Sequence, residues 1–167
     1  NYRLNQTEAS MNEVLAAGII LLSGWNKDSD FIDPMCGSGT LPIEAALIAH
    51  NIPPGKNRNF GFQTWLDFDK NLWDEIKADS EQNITTFKKK ITAYEIDKKA
   101  LSVAIINSER AGVKEFIDFK QMDFFESSYE GEKGHVVINP PYGERIEVDE
   151  IVDFYKSMGT RLKHFYP

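Results

Sequence analysis

Apolar positions along the chain alternate between helical runs and short strand-like blocks. Val14 to Leu22 is a dense apolar run, preceded by Ser10-Met11-Asn12-Glu13 and closed by Ser23-Gly24. A Ser with Glu three residues on reads as a capping box, so the pattern predicts a mostly buried helix from about Ser10 to Leu22. Phe31 and Ile32 open a strand that ends at Asp33, and the run Leu41 to Ile48 predicts a second helix, ending near His50. Residues 51–59 hold Pro53, Pro54 and Gly55 among polar residues and read as a loop. Phe60, Phe62, Trp65, Phe68 and Trp73 then crowd together. They either seal one edge of the core, the plainer reading, or form a substrate-side lid. Asp69 to Phe87 has helical spacing, with Leu72, Trp73 and Ile76 on one face, and Lys88-Lys89-Lys90 reads as a solvated junction.

The second half repeats this alternation. Ile91 to Asp97 is a strand ending in acids, and Asp97 is a good N-cap for the helix carrying Leu101, Ala104, Ile105 and Ser108. That helix stops at Gly112. Phe116 to Gln121 reads as a third strand, leading into Met122-Asp123-Phe124. After a polar turn from Ser127 to Gly134, His135 to Ile138 reads as a fourth, buried strand that runs into Asn139-Pro140-Pro141-Tyr142. A last helix spans about Asp149 to Phe165, with Ile151, Phe154, Tyr155, Met158 and Leu162 on one side. Strands separated by helices predict an α/β domain with a mostly parallel, doubly wound sheet.

Composition narrows the possibilities. A chain of 167 residues is one domain by length. Its net charge of −7 argues against a surface that grips nucleic acid by charge alone. No apolar run is long enough to span a membrane. The single cysteine, Cys36, forms no intrachain disulfide, which fits a reducing compartment, and a cytoplasmic location is expected. The first residue is Asn1 rather than Met, so the chain is expected to be a piece of something longer.

The chemistry concentrates at the strand ends. In an open parallel sheet, ligands bind beyond the carboxyl ends of the strands. Those ends here are Asp33 to Gly39, Glu95, Asp123, and Asn139 to Tyr142. Gly37-Ser38-Gly39-Thr40 between a strand and a helix presents backbone N–H groups to a ligand. The P-loop pattern is absent, and the dinucleotide fingerprint is broken at Pro42. Asp33 would repel a pyrophosphate, which favours a ligand with a zwitterionic or cationic centre; S-adenosylmethionine fits. Glu95 could then accept from both ribose hydroxyls, although a carboxylate there could equally serve the next helix. Asp123 could accept from the adenine amine, with Phe124 beside the ring. Two prolines after a strand fix the backbone. They aim the Asn139 side-chain carbonyl and the Pro140 carbonyl at one point, where they can hold both hydrogens of an aromatic amine while Tyr142 stacks on its base. Cys36 reads as a small packed residue rather than a nucleophile. His50, His135 and His164 have neither metal spacing nor a triad partner.

Asp33-Pro34-Met35-Cys36-Gly37-Ser38-Gly39-Thr40 and Asn139-Pro140-Pro141-Tyr142-Gly143-Glu144-Arg145 resemble the cofactor and catalytic motifs of class I amino-methyltransferases. More narrowly, they resemble the bacterial family that methylates the guanine exocyclic amine in 23S ribosomal RNA. Tyr2-Arg3, the stretch Glu13 to Trp25, and the insert Phe60-Gly61-Phe62 through Trp73 match as well, so the likeness covers nearly the whole chain. It implies a Rossmann-like class I fold, S-adenosylmethionine as cofactor, no metal, and ribosomal RNA as substrate, gripped by an upstream THUMP domain. It makes Asn139, Pro140, Pro141 and Tyr142 the catalytic set. The cofactor set is Asp33, Pro34, Cys36, Gly37, Ser38, Gly39, Thr40, Glu95, Ile96, Asp123 and Phe124. The family's strand order would place the four strands as 3-2-1-4 and continues past the fourth, so residues 1–167 are expected to be a partial catalytic domain, truncated after strand four. The catalytic tetrapeptide alone would also suit a DNA adenine-N6 methyltransferase; the insert and Gly143-Glu144-Arg145 tilt toward RNA. An inactive cofactor-binding module in RNA assembly is the reading from another class.

Overall fold

The computed structural model describes residues 2–3, 11–56, 58–141 and 148–166. Four strands form one parallel sheet: β1 (Asp30–Asp33), β2 (Ile91–Glu95), β3 (Ile117–Gln121) and β4 (Gly134–Val136). Their order is β3-β2-β1-β4, as the family resemblance implies. The chain steps outward from β1 to β2 to β3, then returns to the other side of β1. That reversal leaves a crevice outside the carboxyl ends of β1 and β4, the place where open α/β sheets bind ligands.

The helices are α1 (Glu13–Leu22), α2 (Thr40–Ala49), α3 (Lys70–Gln82), α4 (Lys98–Ala111) and α5 (Val148–Phe165). Nine of the ten residues of α2 are buried, because α1, α4 and the sheet surround it. A helix apolar on every side has to be central. Pro42 sits in its first turn, where no intrahelical N–H is needed. Ile20, Phe31, Ile43, Ile91, Ala104 and Val113 form the heart of the core. Gly39 precedes α2 at φ 83°, and a Cβ there would lie 2.9 Å from that of Ala104. Only glycine lets α4 approach the start of α2 so closely.

Five sequence expectations change. The helix predicted from Ser10 begins at Glu13, and its N-cap is Asn12, whose side chain accepts from the N–H groups of Val14 (2.9 Å) and Leu15 (3.3 Å). Ser10 lies outside the described residues, and the Glu13 carboxylate meets Arg3 at 3.1 Å. Replacing Asn12 with Ala should therefore cost about 1 kcal/mol of stability, read as a lowered urea midpoint at unchanged slope. Nor is α1 mostly buried: Ala16 and Ile20 face the core, whereas Val14 and Leu22 are 80% and 90% exposed.

The predicted helix from Asp69 to Phe87 keeps its cap, since Asp69 accepts from the Leu72 N–H at 3.0 Å, but it ends at Gln82. Beyond it the Thr85 N–H donates to the His50 carbonyl at 2.8 Å. This pulls Phe87 into contact with Trp25 and His50. His50 is buried, stacked 3.7 Å from Phe116.

The aromatic insert does not seal the core. Phe60, Phe62, Phe68 and Trp73 pack on one another, none is fully buried, and Trp65 is 67% exposed. Finally, β4 is half-exposed rather than buried, because β1 is its one strand neighbour in the described sheet. Lys88, Lys89 and Lys90 are exposed as expected, and no helix among the described residues is long and apolar enough to cross a membrane.

Candidate active site at the carboxyl rim of the sheet

The turn from β1 into α2 is held from below and from the side. The Cys36 N–H donates to the Tyr94 carbonyl at 2.8 Å, and the Gly39 N–H donates to the Cys36 carbonyl at 2.8 Å. Asn107 reaches across from α4 to donate to the Ser38 carbonyl at 3.0 Å. Glu95, the last residue of β2, accepts from the Gly37 N–H through one oxygen (2.8 Å) and from the Asp97 N–H through the other (2.9 Å). Its carboxylate thus joins the glycine turn to the start of α4 and still has lone pairs for a ligand. Asp97 is left to cap α4, accepting from the Lys99 N–H at 2.9 Å.

Asp123 follows β3 and accepts from the Phe125 N–H at 2.8 Å, which closes the short turn Phe124–Glu126. That turn buries Phe124 and leaves Phe125 edge-on to Phe154 of α5, with ring centres 5.6 Å apart. On the far side of β1, the Val137 N–H donates to the Ile32 carbonyl at 3.0 Å, extending the β1–β4 ladder by one step. Continuing that register sets Val137 beside Asp33 and Asn139 two residues past it, at the crevice.

These elements enclose a cavity of about 480 Å³, within the range of small-molecule sites. Asp33, Pro34, Cys36, Gly37, Ser38 and Thr40 line it from the turn. Glu95, Ile96, Asp123 and Phe124 line it from β2 and β3, and Asn139 and Pro141 from β4. Two expected members take other places. Gly39 serves the packing of α2 on α4, and Pro140 is half-buried without lining the cavity. Tyr142 lies outside the described residues, as does Gly143-Glu144-Arg145. Sequence reading missed Met11, Phe125 and Phe154 in the wall. Phe125 was adjacent to a named pair, but Phe154 was legible only as one apolar position on a helix face.

The electrostatics suit a cationic ligand. Three acidic side chains, Asp33, Glu95 and Asp123, line the cavity, and among the described residues no Lys, Arg or His does. Burial pushes the Asp33 carboxyl from its ordinary 3.8 up to about 8; the Met35 N–H opposes this, and the Glu95 charge adds to it. Burial, then the Asp33 and Glu95 charges, push the Cys36 thiol well above its usual range. A buried, protonated thiol is a poor nucleophile, which agrees with Cys36 as a packed residue. Among the described residues no group of three His, Cys, Asp or Glu could hold a metal ion.

The Asp33 shift has a testable sign. Between pH 4 and pH 8 the unfolded chain releases a proton that the folded chain keeps. Stability should therefore fall as pH rises through that window, by at most roughly 1.4 kcal/mol per pH unit, and level off above it. Asp33→Asn keeps an acceptor for Met35 and removes the charge. Its melting temperature should exceed that of the wild type by more at pH 8 than at pH 5. Thermal melts of the ligand-free proteins check this, and an equal difference at both pH values would refute it.

Comparison with known proteins matches this architecture. The family model described as UPF0020, RMKL-like methyltransferase domain, matches residues 1–166. A Photobacterium profundum protein named ribosomal RNA large subunit methyltransferase K/L is 42% identical over 170 residues, covering 97% of this chain and 24% of that protein. The crystal structure of SMU.472 complexed with SAH superposes with a TM-score of 0.90 at 37% identity, covering 98% of this chain and 43% of that one. A Listeria monocytogenes structure described as a "predicted N6-adenine-specific DNA methylase" gives 0.89 at 41% identity, covering 98% and 44%. This chain therefore spans less than half the length of each of these proteins. With the sheet order, the glycine turn and the family match in agreement, the chain belongs to the RMKL-like methyltransferase domains.

Proposed function

We propose that this chain is the catalytic domain of an enzyme that transfers a methyl group from S-adenosylmethionine to the exocyclic N2 amine of guanine in 23S ribosomal RNA. The observation that carries the reading is one cavity that Asn139 shares with Glu95, Asp123 and the glycine turn. The cofactor's donors and positive centre match three wall carboxylates. Glu95 accepts from the ribose hydroxyls, Asp123 accepts from the adenine amine, and Asp33 lies toward the positive centre. Phe124, Phe125 and Phe154 form the apolar side of the adenine subsite. The cofactor, when bound, would supply an electrophilic methyl group whose carbon–sulfur bond breaks as the nitrogen–carbon bond forms, leaving S-adenosylhomocysteine.

Everything else falls to Asn139 and its neighbours. The Asn139 side-chain carbonyl and the Pro140 backbone carbonyl accept the two amine hydrogens. They draw the nitrogen lone pair out of conjugation and toward the methyl carbon. The nitrogen then loses one proton to water. This is catalysis by orientation and preorganised dipoles. Tyr142 stacks on the target base. At −7 the chain grips RNA poorly by charge alone. The family resemblance supplies the rest of the reading: a THUMP module holds the substrate in the complete protein, which works in the cytoplasm.

The same constellation would serve adenine-N6 methylation of DNA, and the Listeria neighbour keeps that reading in play. Tritiated-methyl transfer by the full-length protein onto ribosomal RNA and onto DNA, followed by nucleoside analysis, separates them. N2-methylguanosine in the RNA is the expected product. Label confined to DNA, or in neither polymer, would overturn the proposal.

A further inference from the structure

Upstream of α1, Tyr2 and Arg3 pack against the N-terminal half of α2. The Arg3 side chain is only 5% exposed. Its guanidinium pairs with the Glu13 carboxylate (3.1 Å), donates to Thr40 Oγ1 (3.0 Å) and donates to the Met11 carbonyl. Beside it, the Tyr2 hydroxyl donates to Glu44 Oε1 at 2.9 Å, and Glu44 is buried. Burial and the Glu44 charge push the Tyr2 phenol far up, so it stays a donor. Two of the groups that Arg3 holds, Met11 and Thr40, are themselves wall residues of the cavity.

This placement gives Arg3 a task distinct from that of an ordinary surface cation. One planar fork joins three pieces of chain: the backbone before α1, the first turn of α1, and the first residue of α2. We propose that Arg3 is a positioning residue for the cofactor site, setting the Met11–Thr40 wall against the glycine turn. This rests on the reading of the cavity as a cofactor site. A lysine could keep the charge opposite Glu13 but could not hold Thr40 and the Met11 carbonyl in a fixed fork.

The test uses the full-length protein, with S-adenosylhomocysteine titration by calorimetry, steady-state kinetics in S-adenosylmethionine, and melting temperature as a folding control. Arg3→Ala should raise the KM for S-adenosylmethionine about tenfold or more while kcat stays within about threefold, at a temperature where the variant is fully folded. Arg3→Lys should recover less than half of that loss. Unchanged affinity and KM in Arg3→Ala would overturn the proposal, and so would full recovery in Arg3→Lys. A wild-type protein that fails to bind S-adenosylhomocysteine would overturn the cofactor reading itself, and this proposal with it.

Discussion

Asn139→Ala should cut single-turnover methylation by the full-length protein on the order of a hundred- to a thousandfold and leave cofactor affinity nearly intact. Asn139 lies past the end of β4, across the crevice from Glu95 and Asp123, so it borders the cavity without belonging to the proposed ribose and adenine contacts. Its carbonyl acts on the target amine only once the base is in place. The loss is therefore in the transition state, and it should appear equally in kcat and kcat/KM. Asn139→Asp keeps an acceptor but brings a further charge into the cavity that Asp33, Glu95 and Asp123 line; it too should be slow. The check is a single-turnover time course at saturating cofactor, paired with calorimetry of S-adenosylhomocysteine binding. Near wild-type methylation by Asn139→Ala would remove the strand-end mechanism.

What was legible in the sequence follows from range. Apolar blocks and Gly or acid punctuation are local, so the strands, the helices between them and the rim residues could be read directly, whereas the order β3-β2-β1-β4 came from the family resemblance. Asp97 read as the cap of α4 and is the cap; Glu95 read as either a ligand contact or a charge at the start of α4, and its carboxylate holds the Gly37 and Asp97 N–H groups, a brace that spacing did not reveal. Contacts made at a distance were not legible. Asn12 caps α1, and Glu13 pairs with Arg3 from outside the helix, a partner that the apolar pattern does not mark. The aromatic insert looked like core because hydrophobicity carries no address; its rings bury one another instead. Phe154 enters the cavity wall because α5 packs on the turn after β3, a tertiary fact with no local mark.

Glu95→Ala should weaken cofactor binding by about 1.5–3 kcal/mol, typical for hydrogen bonds to a charged group, or roughly 10- to 150-fold in Kd. In the reading advanced here, the carboxylate accepts from the ribose. It also holds the Gly37 and Asp97 N–H groups, so its removal slackens the turn that the rest of the ligand lies on. The second effect predicts what a milder change does. Glu95→Gln supplies one carbonyl oxygen for two N–H groups, and its amide NH₂ must face one of them. It should recover less than half of the lost affinity although it is nearly isosteric. Glu95 is neither in the main core cluster nor fully buried, so both variants should fold, which near-wild-type melting temperatures would verify. Calorimetric titration with S-adenosylhomocysteine decides the matter: an unchanged Kd in Glu95→Ala would remove this residue from the cofactor site, and full recovery in Glu95→Gln would show that the charge and the second acceptor are dispensable.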